Sequence, residues 1–419
     1  MRIGLFTDSY HPSTNGITVV VDIMRDNLEK LGHEVFIFAP ASSLRWWNFN
    51  ERHVVRFPGI RGLFFDEFLT SVFFPPKQLR RIRKLELDRI VIFTPAQVGL
   101  MGAYSALTDK IPLVAQYSTD LTEYVERYPA VMPGVIALYT TMPFALKSRA
   151  RDVFSVTRKL AAKNDDSLSW KSYSIQTTLT YLHNRCAAVI SVSPKVTESL
   201  KTWGVTVPVH TIPTGVDKGI MHPEKLELLR KKYKLSKNDT VLLSLGRVAK
   251  EKNIDLIIDA LPFVLEYEPN VKLIIAGGFS YREELEEKVH AMNLQEHVIF
   301  TGRIPMKDRW DVFALADIFC FPSLTDTQAL VVNEAALMSL PIVWCDEGVN
   351  EVLIHQKSGL MSANTTSAYA KALIDLASNK PLRIEYGKNA RKLAKGYGEQ
   401  NQTKKLVDVL QKLGVTTDN

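Results

Sequence analysis

The stretch Phe321–Trp344 reads F-P-S-L-T-D-T-Q-A-L-V-V-N-E-A-A-L-M-S-L-P-I-V-W, and it predicts half of a β-α-β unit. The apolar run that leads into it indicates a strand, which ends in the polar turn at 323–328. Alanine, leucine and glutamate then indicate a helix, which Leu340-Pro341 ends before the next strand. The pattern therefore places a helix N-terminus directly after a strand.

Two acids flank the expected helix start near Ala329. Asp326 precedes it, and Glu334 lies about one and a half turns inside, at roughly 1.5 Å of rise per residue. The free backbone amides of Gln328 to Val331 lie between the acids, and a helix N-terminus binds phosphate without a basic side chain. This layout fits a nucleotide sugar, with the diphosphate at the amides and a carboxylate facing each hydroxyl-rich end. An N-cap at Asp326 and a solvated Glu334 would explain the same pattern.

The composition is that of a globular protein. The chain has 419 residues, 46% hydrophobic and 23% charged, which suffices for two domains with separate cores. Its cysteines are odd in number and far apart, so we expect reduced core thiols at Cys186, Cys320 and Cys345. The apolar part of the N-terminus is too short for a signal peptide, and no apolar run approaches the ~20 residues of a spanning helix. We therefore expect a protein that is soluble in the cytoplasm or peripheral on the inner face of the membrane.

The formal net charge is +7, and the excess lies in the N-terminal half. Clustered cations indicate an anionic surface as partner, and we expect no nucleic acid. The aromatic stretch 62–76 and the apolar-to-basic stretch 128–175 adjoin these clusters, so a membrane interface is one prediction. A buried loop and a helix packed on the sheet with a solvated basic face are the alternatives. The clustered cations are Lys77, Arg80, Arg81, Arg83 and Lys84, then Lys147, Arg149, Arg151, Arg158, Lys159 and Lys163.

Residues 1 to about 212 alternate short apolar strands with helices, which predicts a parallel, doubly wound sheet. The first strand runs into a loop that contains Asn15-Gly16. In open parallel sheets ligands gather at the strand C-termini, so this loop should face a cleft. A turn with proline and glycine, Ile212–Asp217, marks the domain boundary.

The second domain opens with the strand T-V-L-L-S-L and the turn Gly246–Asn253. This turn places Arg247 and Lys252 where two cations can offset a diphosphate. Ordinary charge at a helix start is the alternative for these two residues. A second glycine turn at Gly277 and the residue Arg303 follow the next two strands.

These motifs resemble those of family 4 (group 1) retaining glycosyltransferases, which include bacterial diacylglycerol glucosyltransferases and phosphatidylinositol mannosyltransferases. The resemblance rests on the acids at 326 and 334, on G-R-x-x-x-x-K at 246–252, and on F-T-D-S-Y-H-P-S-T-N-G at 6–16. This sequence departs from the family pattern in several places: the first acid is Asp, Gln328-Ala329 replace Phe-Gly, and Phe279-Ser280 depart from G-x-G-P. The resemblance implies the GT-B fold, an α/β architecture of two Rossmann-like, doubly wound domains facing across a cleft.

The same resemblance implies a domain plan and an activity. Residues 1–212 would bind the acceptor, 213–380 the donor, and helices in 381–419 would cross back to the first domain. The enzyme would transfer a hexose, glucose or mannose, from a nucleoside diphosphate sugar to a membrane lipid, without a bound metal and with UDP favoured over GDP. A soluble or polysaccharide acceptor and a non-catalytic nucleotide-sugar-binding protein remain alternatives.

The resemblance also implies roles for single residues. Arg247 and Lys252 would neutralise the leaving diphosphate, Asp326 would hold sugar hydroxyls and Glu334 the ribose. Ser118, where the family has a histidine beside the reacting sugar, completes the predicted catalytic set, with Asp120 or His11 as candidates to replace that histidine. The remaining donor contacts would come from Gly16, Gly277, Arg303, Ala329, Leu330 and Val331, and the acceptor side from Tyr117, Ser118 and Asp120.

Overall fold

The computed structural model describes residues 1–13, 15–41, 52–61, 69–71, 76–127, 132–161 and 169–414. The chain forms two compact units, which are Met1–Gly215 with Glu399–Asn419, and Val216–Gly398. The first boundary lies close to the position expected after residue 212. The second lies at Gly398 instead of residue 380.

The first unit is organised around a parallel sheet. Its described strands are β1 (Arg2–Phe6), β2 (Glu34–Pro40), β3 (Val54–Phe57), β4 (Gly59–Arg61), β5 (Leu69–Ser71), β6 (Arg89–Ile92), β7 (Leu113–Tyr117), β8 (Ala188–Ser191) and β9 (Val209–Thr211). Seven of these pair in parallel in the order β3-β2-β1-β6-β7-β8-β9, and β4 and β5 form an antiparallel pair. The strand order reverses between β1 and β6, which is where open parallel sheets bind ligands.

Helices connect these strands. They are α1 (Gly16–Lys30), α2 (Pro76–Lys84), α3 (Gln97–Asp109), α4 (Leu121–Arg127), α5 (Met132–Ala145), α6 (Ala150–Ala161), α7 (Trp170–His183) and α8 (Pro194–Thr202). The strands read as nearly continuous apolar runs because helices cover both sheet faces. In β1, for example, Ile3, Leu5 and Phe6 are all fully buried.

The second unit repeats the plan on a six-stranded parallel sheet. Its strands are β10 (Thr240–Leu245), β11 (Val271–Ala276), β12 (Val298–Gly302), β13 (Ile318–Phe321), β14 (Ile342–Trp344) and β15 (Gly359–Met361), in the order β12-β11-β10-β13-β14-β15. Its helices are α9 (Pro223–Lys232), α10 (Ile254–Tyr267), α11 (Arg282–Ala291), α12 (Arg309–Phe313), α13 (Leu330–Leu337), α14 (Thr366–Ala377) and α15 (Lys380–Ala394). The strand order reverses between β10 and β13, as in dinucleotide-binding folds.

The structure confirms the predicted fold class, two parallel α/β domains of Rossmann type. It corrects the expectation that both helices after residue 380 cross back to the first domain. Helix α15 belongs to the second unit, because a Cβ on its Gly387 would lie 1.9 Å from the carbonyl oxygen of Ser339. Only the C-terminal helix, Glu399–Lys412, belongs to the first unit, where Asn27 of α1 donates to the Glu399 carboxylate at 2.9 Å.

Several predicted features fall partly outside the described residues. Residues 62–68 and 72–75 of the aromatic stretch and 128–131 and 162–168 of the apolar-to-basic stretch lie there. Across the described part of the chain, no helix is both long and apolar enough to cross a membrane. The cysteines are free thiols, as predicted: Cys186 and Cys320 are buried and Cys345 is half-buried.

Candidate functional site

Two loops meet at the switch point of the second sheet. One follows β10 and ends in the 3-10 turn Lys250–Lys252, and the other joins β13 to α13. Lys252 Nζ donates to Asp326 Oδ1 at 2.7 Å. Asn253 reinforces the junction, since its Nδ2 donates to the carbonyl oxygen of Pro322 at 3.2 Å. The structure therefore joins the predicted diphosphate cation directly to the first acid of the motif.

Asp326 is stabilised as a carboxylate, and one of its two oxygens accepts no hydrogen bond from the described residues. Burial alone would raise its pKa, but Lys252 and, less strongly, Arg247 bring that pKa below its ordinary value. The second oxygen, Oδ2, is buried and has no hydrogen-bond partner among the described residues. A buried carboxylate oxygen is a strong acceptor that stabilises the structure only when a donor reaches it. A sugar hydroxyl would be such a donor.

The N-terminus of α13 is shaped by an unusual backbone at Ala329. This residue precedes the first helical residue, Leu330, and has the left-handed conformation, with φ 57° and ψ 71°. No Ala329 side-chain atom caps the first-turn amides, which include those of Leu330 and Val331. The amide of Asn350 supports the turn by donating to the carbonyl oxygen of Gln328 at 2.8 Å. The helix thus begins one residue after the expected position and offers its amides beside Asp326.

Glu334 lies further along α13 and is 4% exposed. Arg309 Nη1, at the start of α12, contacts its Oε1 at 2.7 Å. Burial raises the pKa of Glu334 to about 7, against the opposing charge of Arg309. The acid is therefore neither the solvated helix residue of the alternative interpretation nor a fully ionised group at neutral pH.

The other donor-side residues surround the end of β11. Gly277 has φ 155°, and a Cβ there would lie 1.7 Å from the carbonyl oxygen of Gly246, so only glycine fits. Gly277 also bridges to Gly302, which precedes the exposed Arg303. Three predicted elements, the loops at 246, 277 and 303, are thus adjacent at one edge of the sheet.

Arg247 contacts Glu251 of its own loop and Phe279 of the next one. Its Nη2 donates to Glu251 Oε1 at 3.1 Å, and its guanidinium carbon lies 5.3 Å from the ring centre of Phe279. Phe279 adopts φ 157°, a conformation that favours glycine and is strained for phenylalanine. The residue that departs from the family's glycine pattern therefore supports the predicted phosphate-binding arginine.

In the first unit, Gly16 is the first residue of α1, after the N-cap Asn15. Among the described residues, no atom other than those of its chain neighbours and the α1 backbone lies within 4 Å of the position that a Cβ on Gly16 would occupy. Asp8 organises the same loop region, because its Oδ1 accepts the N–H of Val98 at 2.7 Å and its Oδ2 accepts from Thr94 at 2.5 Å. Asp8 thus ties the end of β1 to the start of α3.

The predicted acceptor-side residues have different environments. Tyr117 is 6% exposed, packs edge-on against His183 and Trp203, and points its hydroxyl at Asp120 at 3.5 Å. Asp120 accepts the N–H of Thr122 at 3.0 Å at the start of α4. Tyr117 therefore packs in the core, and Asp120 stabilises the start of α4. Ser118 is half-buried at the end of β7.

His11, a candidate to replace the missing histidine, is 46% exposed at its side chain and lies 2.7 Å from Asp22 Oδ2. An imidazole beside a carboxylate is a usual arrangement for a proton acceptor. The same Asp22 also accepts from Tyr10 at 2.8 Å, which shows that the group is part of a fixed network. Among the described residues, no three metal-binding side chains lie together.

Sequence reasoning missed three contributors to the site, namely Arg309, Asn350 and Glu251. Arg309 and Glu334 are 25 positions apart, and no local pattern joins them. Asn350 lies in the loop after β14 and reaches the carbonyl oxygen of Gln328, 22 positions earlier, only in the folded chain. Glu251 lies in the G-R-x-x-x-x-K turn, four residues after Arg247, and that spacing was the one available signal.

Comparison with known proteins agrees with the motifs. The model for Glycosyltransferase Family 4 matches residues 14–219, and the model for Glycosyl transferases group 1 matches residues 226–393. An alpha-monoglucosyldiacylglycerol synthase of Streptococcus pneumoniae is 28% identical over 348 residues, 82% of this chain and 70% of the relative. The enzyme of the same name from Acholeplasma laidlawii is 24% identical over 412 residues, 96% of this chain and 94% of the relative.

Among solved structures, Anabaena Alr3699/HepE in complex with UDP superposes with a TM-score of 0.70 at 17% identity, covering 99% of this chain and 100% of that one. This likeness shows a shared GT-B fold. The two family models together extend over most of the chain, on both sides of the boundary between the units. The chain therefore belongs to glycosyltransferase family 4, the group 1 glycosyltransferases.

Proposed function

We propose that this enzyme transfers a hexose, with retention of anomeric configuration, from a nucleoside diphosphate sugar to a membrane lipid. The main support for the proposed donor is the hydrogen bond from Lys252 to Asp326 beside the N-terminus of α13, which has no side-chain cap. It combines a cation, free amides and a buried carboxylate oxygen within one loop pair. The cation and the amides suit the diphosphate, and the carboxylate oxygen suits the hydroxyl groups of the sugar.

In this proposal each group has one task. Lys252 and Arg247 stabilise the charge that grows on the diphosphate as the bond to the sugar breaks. Donor binding moves Lys252 from Asp326 towards the phosphate, and Asp326 then takes up sugar hydroxyls. Glu334 holds the ribose, and Gly16 leaves space for the donor. Ser118 remains the predicted neighbour of the reacting sugar on the acceptor side.

The donor is proposed to be a UDP-hexose, with UDP-glucose as the first choice. The similar structure of Anabaena Alr3699/HepE holds UDP, and the two relatives are named as glucosyl lipid synthases. The test is a screen of UDP-glucose, UDP-galactose, UDP-N-acetylglucosamine, GDP-mannose and ADP-glucose for release of nucleoside diphosphate, with and without lipid. Consumption of one UDP-hexose would support the proposal, and exclusive use of GDP-mannose would replace the donor.

Turnover is proposed to need no metal ion. Two side-chain cations and the first-turn amides of α13 supply the positive charge that Mg²⁺ supplies in other sites. Rates measured in EDTA and in MgCl₂ should then agree within about a factor of two. A strict requirement for the ion would refute this part of the proposal.

The lipid acceptor is supported by exposed apolar and basic side chains on α5 and α6. Phe154 is 70% exposed, and Arg151 and Arg158 lie on the same face of α6 at helical spacing. Asp152 pairs with Arg185 of α7 at 2.8 Å, and its other oxygen lies 3.6 Å from Arg151 Nε. An exposed phenylalanine between two arginines suits an anionic bilayer, with about 1 kcal/mol per cation near the surface.

On α5, Ile136 and Phe144 are 58% and 61% exposed and lie eight residues apart, again on one helical face. Apolar side chains that stay exposed on neighbouring helices form a patch of the kind that marks membrane or protein contacts. We therefore propose that the enzyme is peripheral at the inner face of the membrane and meets its lipid acceptor there.

Liposome flotation tests the surface. Wild-type protein should float with vesicles that contain phosphatidylglycerol, less so at high salt, and Phe154→Ser should reduce the floated fraction. Phe263→Ser is the matched control, because Phe263 is 49% exposed on α10 of the other unit. Absence of salt-sensitive flotation of the wild type would favour a soluble or polysaccharide acceptor, and equal flotation of Phe154→Ser and wild type would exclude Phe154 from the membrane surface.

A non-catalytic nucleotide-sugar-binding protein is the second candidate. Ser118 in place of the family histidine and Asp326 in place of glutamate motivate it. Donor binding without turnover, even after lipid extract is added, would support this candidate over the enzyme.

A further inference from the structure

Arg309 is a residue that neither the motifs nor the proposed roles use. It follows the 3-10 turn Met306–Asp308 and begins α12, between the loop at Arg303 and the helix that carries Glu334. Its Nη1 lies 2.7 Å from Glu334 Oε1. The two residues therefore form a pair that spans two loops of the donor-side edge.

The pair is set before any ligand arrives. Arg309 lies over the ring of the buried Trp310, with 5.5 Å from its guanidinium carbon to the ring centre, and its Nη1 lies 3.5 Å from Met306 Sδ. Among the described residues, Arg309 is the one side chain in a salt bridge with Glu334, and the shortest contact of the pair uses Oε1. A carboxylate has about four lone-pair sites on its two oxygens, so the acid can accept from a further donor.

The guanidinium also has an unused side. Its Nε is buried and has no hydrogen-bond partner among the described residues. In a guanidinium, Nη1 lies on the Cδ side and the Nε–H points away from it. Nη1 can therefore contact Glu334 while the Nε–H donates a hydrogen bond to another group. A buried donor without a partner costs about 1–3 kcal/mol. Such a group is expected to have an acceptor in the working state of the site.

We propose that Arg309 is a nucleoside-positioning residue of the donor site. It fixes Glu334 by Oε1 so that Oε2 accepts from a ribose hydroxyl, and it donates its own Nε–H to a ribose oxygen. The ribose of the nucleoside diphosphate is thus held by the prearranged pair of Glu334, which accepts a hydrogen bond, and Arg309, which donates one. This inference rests on the proposed function, in which Glu334 faces the ribose.

The chemistry favours a ribose over the diphosphate as the partner. A phosphate would not approach the Glu334 carboxylate, since two anions within a few ångströms repel each other. A hydroxyl can donate to the carboxylate and accept from Nε–H at the same time. The Arg309–Glu334 pair matches this dual character, whereas Arg247 and Lys252 offer cations to a phosphate.

Calorimetric binding of UDP and of 2′,3′-dideoxy-UDP tests the proposal in wild type, Arg309→Met, Arg309→Lys and Arg247→Met. Wild type should bind UDP at least about tenfold more tightly than the dideoxy compound, which lacks both hydroxyls. Arg309→Met should lose most of that preference and leave affinity for the dideoxy compound nearly unchanged. Arg309→Lys should keep part of it, since the ammonium keeps the charge but not the fork.

Arg247→Met is the contrast. It should weaken both ligands by the same factor, because the proposed partner of Arg247 is the diphosphate that both contain. If Arg309→Met keeps the wild-type preference, or weakens both ligands equally, Arg309 has a structural role and the inference is wrong. If wild type binds neither UDP nor GDP, the proposed function fails as well. A cooperative thermal unfolding transition shows that each variant is folded. If Arg309→Met does not fold, the comparison of Arg309→Lys with wild type tests the proposal.

Discussion

Replacement of Lys252 by methionine separates leaving-group stabilisation from folding. The side chain is 23% exposed and its Nζ lies 2.7 Å from Asp326 Oδ1, so methionine removes the charge and keeps most of the buried stem. The substitution leaves Asp326 without its cation. The pKa of Asp326 then rises. Each unit of that rise corresponds to a loss of 1.36 kcal/mol in folding stability while the acid is ionised, and protonation of the acid limits the loss.

The expected effect on turnover is larger. A preorganised charge aimed at a leaving group contributes about 2–4 kcal/mol to the transition state, which corresponds to a loss of about 30- to 1000-fold in kcat. The ground-state ion pair with Asp326 argues for the lower half of this range, since Lys252 must leave that pair when donor binds. We therefore expect a loss of about 100-fold.

The assay is release of nucleoside diphosphate from the preferred donor at saturating lipid. Lys250→Met is the matched control, because Lys250 is exposed in the same 3-10 turn and its loss removes the same charge. Lys252→Met combined with Asp326→Asn should recover stability without recovering turnover. Turnover of Lys252→Met within about threefold of wild type, or an equal loss in Lys250→Met, would refute the reasoning.

The geometry also predicts the effects of changes at Gly16, Glu334 and Ala329. Gly16→Ala should fold like wild type, since its new methyl group would meet no other part of the described chain within 4 Å beyond its neighbours and its own helix, yet it should lose at least about tenfold in kcat/KM. Unchanged kinetics would remove Gly16 from the donor site. Because burial raises the pKa of Glu334 to about 7, UDP should bind more tightly as pH rises from 6 to 8, and Glu334→Gln should flatten that dependence. The pKa of Glu334 in the folded protein lies above its unfolded value, so the protonated acid stabilises the fold fully below about pH 4.5. This stabilisation is lost as pH rises through 7. The free energy of unfolding of the wild type, measured relative to Glu334→Gln at each pH, should show the loss. Ala329→Gly should raise the free energy of unfolding by about 1 kcal/mol in urea, since Ala329 has φ 57°; a loss of stability would contradict that assignment.

Much of the second unit could be predicted from the sequence. The strand, turn and helix at 318–337 follow from local patterns, because apolar runs, a polar turn and a following proline each act over a few residues. The spacing of Asp326 and Glu334 and the G-R-x-x-x-x-K turn also predicted loops at the ends of β13 and β10, where the structure has them. The pairing of Lys252 with Asp326 was not part of that prediction.

Other features depend on contacts that no local pattern encodes. Strands β3 and β9 were not predicted, because four or three residues give too short a pattern. Arg309 and Asn350 reach the site only through the fold. Tyr117 was assigned to the acceptor side from the resemblance, whereas its ring is held in the core by His183 and Trp203. Side-chain direction at a strand end is set by packing, which the sequence alone does not give.

The central claim, retaining transfer from a UDP-hexose to a lipid, is tested most directly by the anomeric configuration of the product. Purified enzyme would be given UDP-glucose and diacylglycerol in anionic vesicles, and the glycolipid would be analysed by proton NMR while released UDP is measured. We predict an α-linked glucolipid formed in step with UDP. A β-linked product would contradict retention, and bound UDP-glucose that is never consumed would contradict the enzyme.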